Sequence, residues 1–101
     1  MPTVHKSDEN YKFCLVNDTE NDVNGFWVDY ESEKISYFTI KPGKKINQNT
    51  FSGHRWLLTD HVDADLYLFE AGSGIFKETY VTYNISSLLK DKGIKKTTNL
   101  I

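Results

Sequence analysis

The sequence predicts an all-β fold, an antiparallel β-sandwich of about seven strands followed by a short C-terminal helix. Three observations predict it. Short runs of β-branched and aromatic residues recur along the chain, separated by turns rich in Gly, Pro, Asn and Asp. Aromatic residues make up 14% of the 101 residues and are mostly Tyr and Phe, a bias that favours strands. Only the stretch around Leu88 groups its apolar residues as a helix does. At this length the chain is one domain with one core and room for a single site.

The elements follow in order. Residues 1–10 are polar, without periodicity, and read as a flexible arm. The ordered domain spans 11–93. Its first strand runs from Tyr11 to Asn17 and ends in the loop chemistry of Asn17-Asp18-Thr19-Glu20-Asn21-Asp22. The second, Asn24 to Tyr30, puts Phe26, Val28 and Tyr30 on one face and Trp27 and Asp29 on the other. Glu31-Ser32-Glu33 turns the chain into Lys34 to Ile40, so these two strands form a hairpin. Phe38 and Ile40 are expected to face the core, with Ile35, Tyr37 and Thr39 on the reverse face.

Pro42 and Gly43 form a turn, because proline presets φ and glycine accepts positive φ. Lys44 to Phe51 is polar, with Ile46 its only aliphatic, and belongs at a sheet edge or on an exposed face. Thr50 to Asp60 then packs a hydroxyl, an imidazole and an indole beside Gly53. Alternation places His54 and Trp56 on one face and Arg55 and Leu57 on the other, with Trp56-Leu57-Leu58 as the buried anchor. Asp60 to Asp65 is a solvated loop, Leu66 to Phe69 a strand, and Ala71 to Gly74 a flexible turn. Ile75 to Tyr83 alternates as the last strand, with Phe76, Glu78, Tyr80 and Thr82 opposite Lys77, Thr79, Val81 and Tyr83. Asn84 or Ser86 is expected to cap a helix through Leu88, Leu89 and Lys90 that stops at Gly93. Residues 94–101 form a tail.

Several function classes are disfavoured. A net charge of -2 gives no attraction for phosphate backbones, so nucleic acid is not expected as a partner. No apolar run reaches the ~20 residues of a membrane span, and Met1 to Lys6 lacks the apolar centre of a secretory signal. The single cysteine, Cys14, reads as a small buried hydrophobe in a reducing compartment, cytoplasmic or nuclear. The sequons at Asn17 and Asn84 would matter only in a secreted protein.

Asp60, His61, Asp63 and Asp65 crowd one loop but lack the central glycine of a calcium loop, and Glu70 falls too early. His5, His54 and His61 are too scattered for zinc, so neither metal nor other cofactor is expected. The only local nucleophile and base pairing is Thr50 or Ser52 with His54, outside any nucleophile elbow. The chain reads as a non-enzyme.

Recognition has more to offer. Trp27, Tyr37 and Trp56 fall on adjacent expected strands, and aromatics are the usual anchors of peptide recognition, although all three could equally be core. Their pattern resembles the β domain of the von Hippel-Lindau (VHL) tumour suppressor family. The likeness runs without a gap from Asn17 to Asp60, through Trp27-Val28-Asp29-Tyr30, Tyr37, Thr39-Ile40, Pro42-Gly43 and Phe51-x-Gly53-His54-x-Trp56-Leu57. It continues more loosely through Leu68-Phe69 and from Ile75 to Leu89.

What the resemblance implies is a sandwich with a groove for an extended peptide bearing 4-hydroxyproline. Trp27, Tyr37 and Trp56 would form the aromatic walls, and Thr50 and His54 would hydrogen-bond the hydroxyl. Thr50 replaces a family serine. Asn49 stands where the family has histidine and Phe51 where it has tyrosine, so the central pocket matches while its rim differs. Full-length members also act as substrate-recognition subunits of a cullin ubiquitin ligase by docking a helical box on elongin C. Ser87-Leu88 matches the start of that box, but Lys92 and Lys96 stand at its cysteine and aliphatic positions, where an ammonium would enter an apolar groove. The resemblance therefore implies a stand-alone module, without the helical domain, that does not recruit the ligase by itself. An alternative keeps the fold with another ligand, such as a carbohydrate or an unmodified protein partner.

Overall fold

In the computed structural model, which describes residues 10–90, a β-sandwich is built from a three-stranded and a four-stranded sheet. Residues 1–9 of the expected arm, the Gly93 helix stop, Lys92, Lys96, His5 and the tail lie outside the described residues, while Asn10, expected in the arm, already belongs to the first strand. Strand β1 (Asn10–Val16) is central in the smaller sheet, between β4 (Lys45–Phe51) and β7 (Tyr80–Asn84). The larger sheet has the order β3 (Lys34–Ile40), β2 (Val23–Val28), β5 (Arg55–Thr59), β6 (Asp65–Glu70). Polar β4 lies at a sheet edge, as its composition requires.

Alternation carries the inward side chains to one core. Phe13 and Leu15 point in from β1, Ile40 from β3, Trp56 and Leu58 from β5, and Phe69 from β6. A short helix, α1 (residues 85–90), closes the core with Ile85 and Leu88. Phe13 is central to this packing. Its ring meets Trp56 at 5.4 Å and Phe69 at 5.2 Å, both edge-on. Buried Asn17 fixes the first loop, donating to the backbone carbonyls of Asn21 at 2.8 Å and Ile40 at 2.7 Å.

The structure departs from the expected pattern in four places. First, β7 pairs with β1 in parallel, while the other strand pairs are antiparallel. The chain reaches β7 from the far sheet and re-enters beside β1 in the same direction, as a crossover must. Second, the alternating segment from Ile75 is not strand until Tyr80. Gly74–Phe76 is a single 3-10 turn, with Gly72 and Gly74 at positive φ of 86° and 58°. That turn swings Phe76 inward to stack on Phe69 at 4.0 Å.

Third, Gly25 pairs with Phe38 but Phe26 pairs with Ser36, leaving Tyr37 as the extra residue of a bulge. The bulge reverses the facing of what precedes it, so Ile35 lies opposite Trp27 instead of on the reverse face. Glycine is required at position 25 because a Cβ there would lie 2.1 Å from the Phe38 ring. Fourth, neither Asn84 nor Ser86 caps α1. The carboxylate of Asp18, from the loop after β1, accepts the Ser86 N–H at 2.8 Å and the Ser86 hydroxyl at 2.5 Å. The unpaired N–H groups of a first helical turn favour an anion, and here it comes from the other end of the domain.

Candidate functional site

Edge strand β3 of one sheet and edge strand β4 of the other face each other across an open seam, and the start of β5 forms its floor. Asn49, Thr50 and Phe51 come from β4 and Tyr37 from the β3 bulge. A tight turn, Phe51 to His54, links β4 to β5, closed by the His54 N–H donating to the Phe51 carbonyl at 3.1 Å. Its third residue, Gly53, has φ +90°, which glycine accepts without strain. Bonds from the Gly53 N–H to the Ala71 carbonyl and from the Ala71 N–H to the His54 carbonyl, both 2.9 Å, tie the turn to the end of β6. His54 is thus held just before β5, on the same side as Trp56.

Trp27, Tyr37, Asn49, Thr50, Phe51, His54 and Trp56 together line one half-open pocket of about 100 Å³. The residues expected from sequence to form a peptide pocket are brought together here, whereas Ser52 and the acidic-loop residues Asp60, His61, Asp63 and Asp65 are not among its lining. Tyr37 was expected on the face away from Phe38, and the bulge is what brings its ring 5.1 Å from Trp56, edge-on. For Trp56, core and pocket are not alternatives. Its indole is 2% exposed, stacked near Phe38 at 6.1 Å and met edge-on by Phe13, yet its rim forms the pocket floor.

The polar groups are arranged unequally. The Trp56 Nε1–H donates to Thr50 Oγ1 at 2.8 Å in a fully buried bond between the sheets. The Thr50 hydroxyl proton has no acceptor among the described residues. His54 packs against Trp27 at 5.3 Å and Phe51 at 5.6 Å, and neither imidazole nitrogen has a hydrogen-bond partner among the described residues. The pocket therefore offers aromatic walls, one oriented O–H donor and one imidazole. Of the two supports of this arrangement, Phe38 is the one whose inward facing is expected from sequence; Phe13 carries no such assignment, and neither carries a sign that it holds the Trp56 indole in place.

A family model of the VHL beta domain matches residues 3–82. The chain belongs to the VHL β-domain family. Among curated proteins no match is found. Membership in the VHL β-domain family makes recognition of another protein the business of this fold, and in the seam between β3 and β4 this VHL β domain holds the Thr50 hydroxyl proton and the His54 imidazole without hydrogen-bond partners among the described residues. The Thr50 hydroxyl faces an N–H donor, whereas a nucleophile is activated by a base. Among the described residues no three His, Cys, Asp or Glu side chains cluster to hold a metal ion. Asp60, in the acidic loop, instead folds that loop by accepting the Val62 and Ala64 N–H groups, each at 2.9 Å.

Proposed function

We propose that this VHL β domain is a non-enzymatic module that binds an extended segment carrying 4-hydroxyproline. The observation that carries the reading is the Thr50 hydroxyl, fixed by the Trp56 indole with its own proton uncommitted, beside an uncommitted His54 in a pocket of ring size. The pyrrolidine ring packs between Trp27, Tyr37 and Trp56. Its hydroxyl accepts from Thr50 and bonds His54. Unmodified proline would bury both groups without partners, at a cost of ~1–3 kcal/mol each, so hydroxylation acts as the switch.

Asn49 and Phe51, which depart from the family pattern, stand at the mouth of the pocket, where the residues flanking the ring pass. We read the chain as binding its ligand without recruiting elongin C, since Leu88, the second residue of the compared box, is 1% exposed and packed in the core. An intracellular setting suits a domain whose one cysteine is buried and unpaired. No helix among the described residues is long and apolar enough to cross a membrane.

Titration with a hydroxyproline peptide and its proline twin, followed by fluorescence of Trp27 and Trp56, tests the reading. Saturable binding of the hydroxylated peptide alone, abolished in His54→Ala, is expected. Equal silence towards both would sink it and point to the same fold with a different ligand.

A further inference from the structure

The outer face of the three-stranded sheet holds a basin of about 440 Å³ that shares Asn49 and Phe51 with the pocket just described. Along β4, Thr50 turns inward to Trp56, so its neighbours Asn49 and Phe51 turn outward. Beyond them on this outer face stand Lys12 of β1, the register partner of both Asn49 and Tyr80, and Tyr80 of β7. Phe51 and Tyr80 are 40% and 54% exposed, and the Lys12 ammonium lies 5.4 Å from the centre of the Tyr80 ring. Lys12 makes no ion pair among the described residues, and no carboxylate lines the basin.

We infer that this basin is a second subsite, for an acidic side chain on the residue next to the one in the pocket, within the same extended segment. The inference rests on the proposed function. Its geometry follows from the free edge of β4. A segment laid along that edge alternates its side chains between the two faces of the sheet. A ring directed inward beside Thr50 therefore sends the adjacent side chain outward over Asn49 and Phe51. The flexible four-carbon stem of Lys12 can swing from Tyr80 towards that edge and meet a carboxylate there. The exposed rings of Phe51 and Tyr80 then cover its methylenes.

The test uses the full chain and two hydroxyproline peptides, one with glutamine on both sides of the modified residue and one with a single glutamine replaced by glutamate. The glutamate peptide is expected to bind about two- to fivefold more tightly, the range of exposed ion pairs, with the advantage shrinking as salt is added. In Lys12→Gln the two peptides should bind equally, and at the affinity of the glutamine peptide for the unaltered chain. Lys12 is exposed, so this variant retains the fold, which circular dichroism verifies. Tight but equal binding of both peptides to the unaltered chain would overturn the second subsite and leave the pocket standing. Binding of neither would overturn both.

Discussion

A threonine hydroxyl that accepts from a buried indole is constrained in a way that no exposed hydroxyl is. The bond between Trp56 and Thr50 is 2.8 Å long, and both side chains are nearly inaccessible. Thr50→Val keeps the shape but leaves the Trp56 N–H unpaired. We expect it to destabilise the domain by ~1–3 kcal/mol, read as a lower urea midpoint at unchanged slope. Thr50→Ser, which keeps the oxygen, should recover most of that loss. A purely ligand-facing Thr50 would make the valine variant as stable as the parent. The sequence displayed the residue types of the pocket, because a hydroxyl, an imidazole and three large aromatics stand out wherever they lie. It did not display the bond between Thr50 and Trp56, which crosses from one sheet to the other around the Gly53 turn.

Elements are set by their ends and irregularities, and α1 shows this best. One N–H of its first turn, that of Ser86, is bonded by Asp18, whose carboxyl is held below the ordinary carboxylate range by the Ser86 hydroxyl and then the Ser86 N–H. A carboxyl lowered in the folded state contributes stability above its unfolded value and loses it as pH falls through the folded one. Asp18→Asn should therefore be less stable than the parent at neutral pH, and the two should converge as the medium is acidified below the carboxylate range, measured by urea unfolding at several pH values. Asp60, lowered by the Ala64 N–H and lesser contributions from Val62 and His61, titrates in the same window, so some acid sensitivity survives in the variant. The strand count and the hairpin of β2 and β3 were readable because alternation and turn residues are local. The Tyr37 bulge, the 3-10 turn at Phe76 and the distant cap on α1 were not, since each answers to packing against another element. Phe76 shows the difficulty well. Its parity places it away from Tyr83, yet the two rings meet at 5.2 Å.

On the scale of the whole molecule, the two sheets are joined through rings. Phe13 in the smaller sheet meets Phe38, Trp56 and Phe69 of the larger one, all edge-on, and also Phe76. Phe13→Ala is expected to cost ~3–5 kcal/mol, a large part of the ~5–15 kcal/mol that holds a domain of this size together. Loss of the pocket should coincide with loss of the fold. Tryptophan fluorescence and far-ultraviolet circular dichroism should follow one shared unfolding curve, and separate curves would show that the seam can open alone. The sandwich and the single core could be read from periodicity. The place of β7 beside β1 could not, because its partner lies far back in the sequence.

That pairing also governs when the protein can take shape during its synthesis. Lys12 meets Tyr80 and Val16 meets Asn84, so the smaller sheet waits for nearly the whole described chain. The larger sheet needs nothing beyond Glu70 and can assemble on a nascent chain while β1 still has one open side. Until β7 emerges from the ribosome, the apolar centre of β1 is an unguarded edge, and a chaperone or a neighbouring nascent chain competes for it with the strand that belongs there.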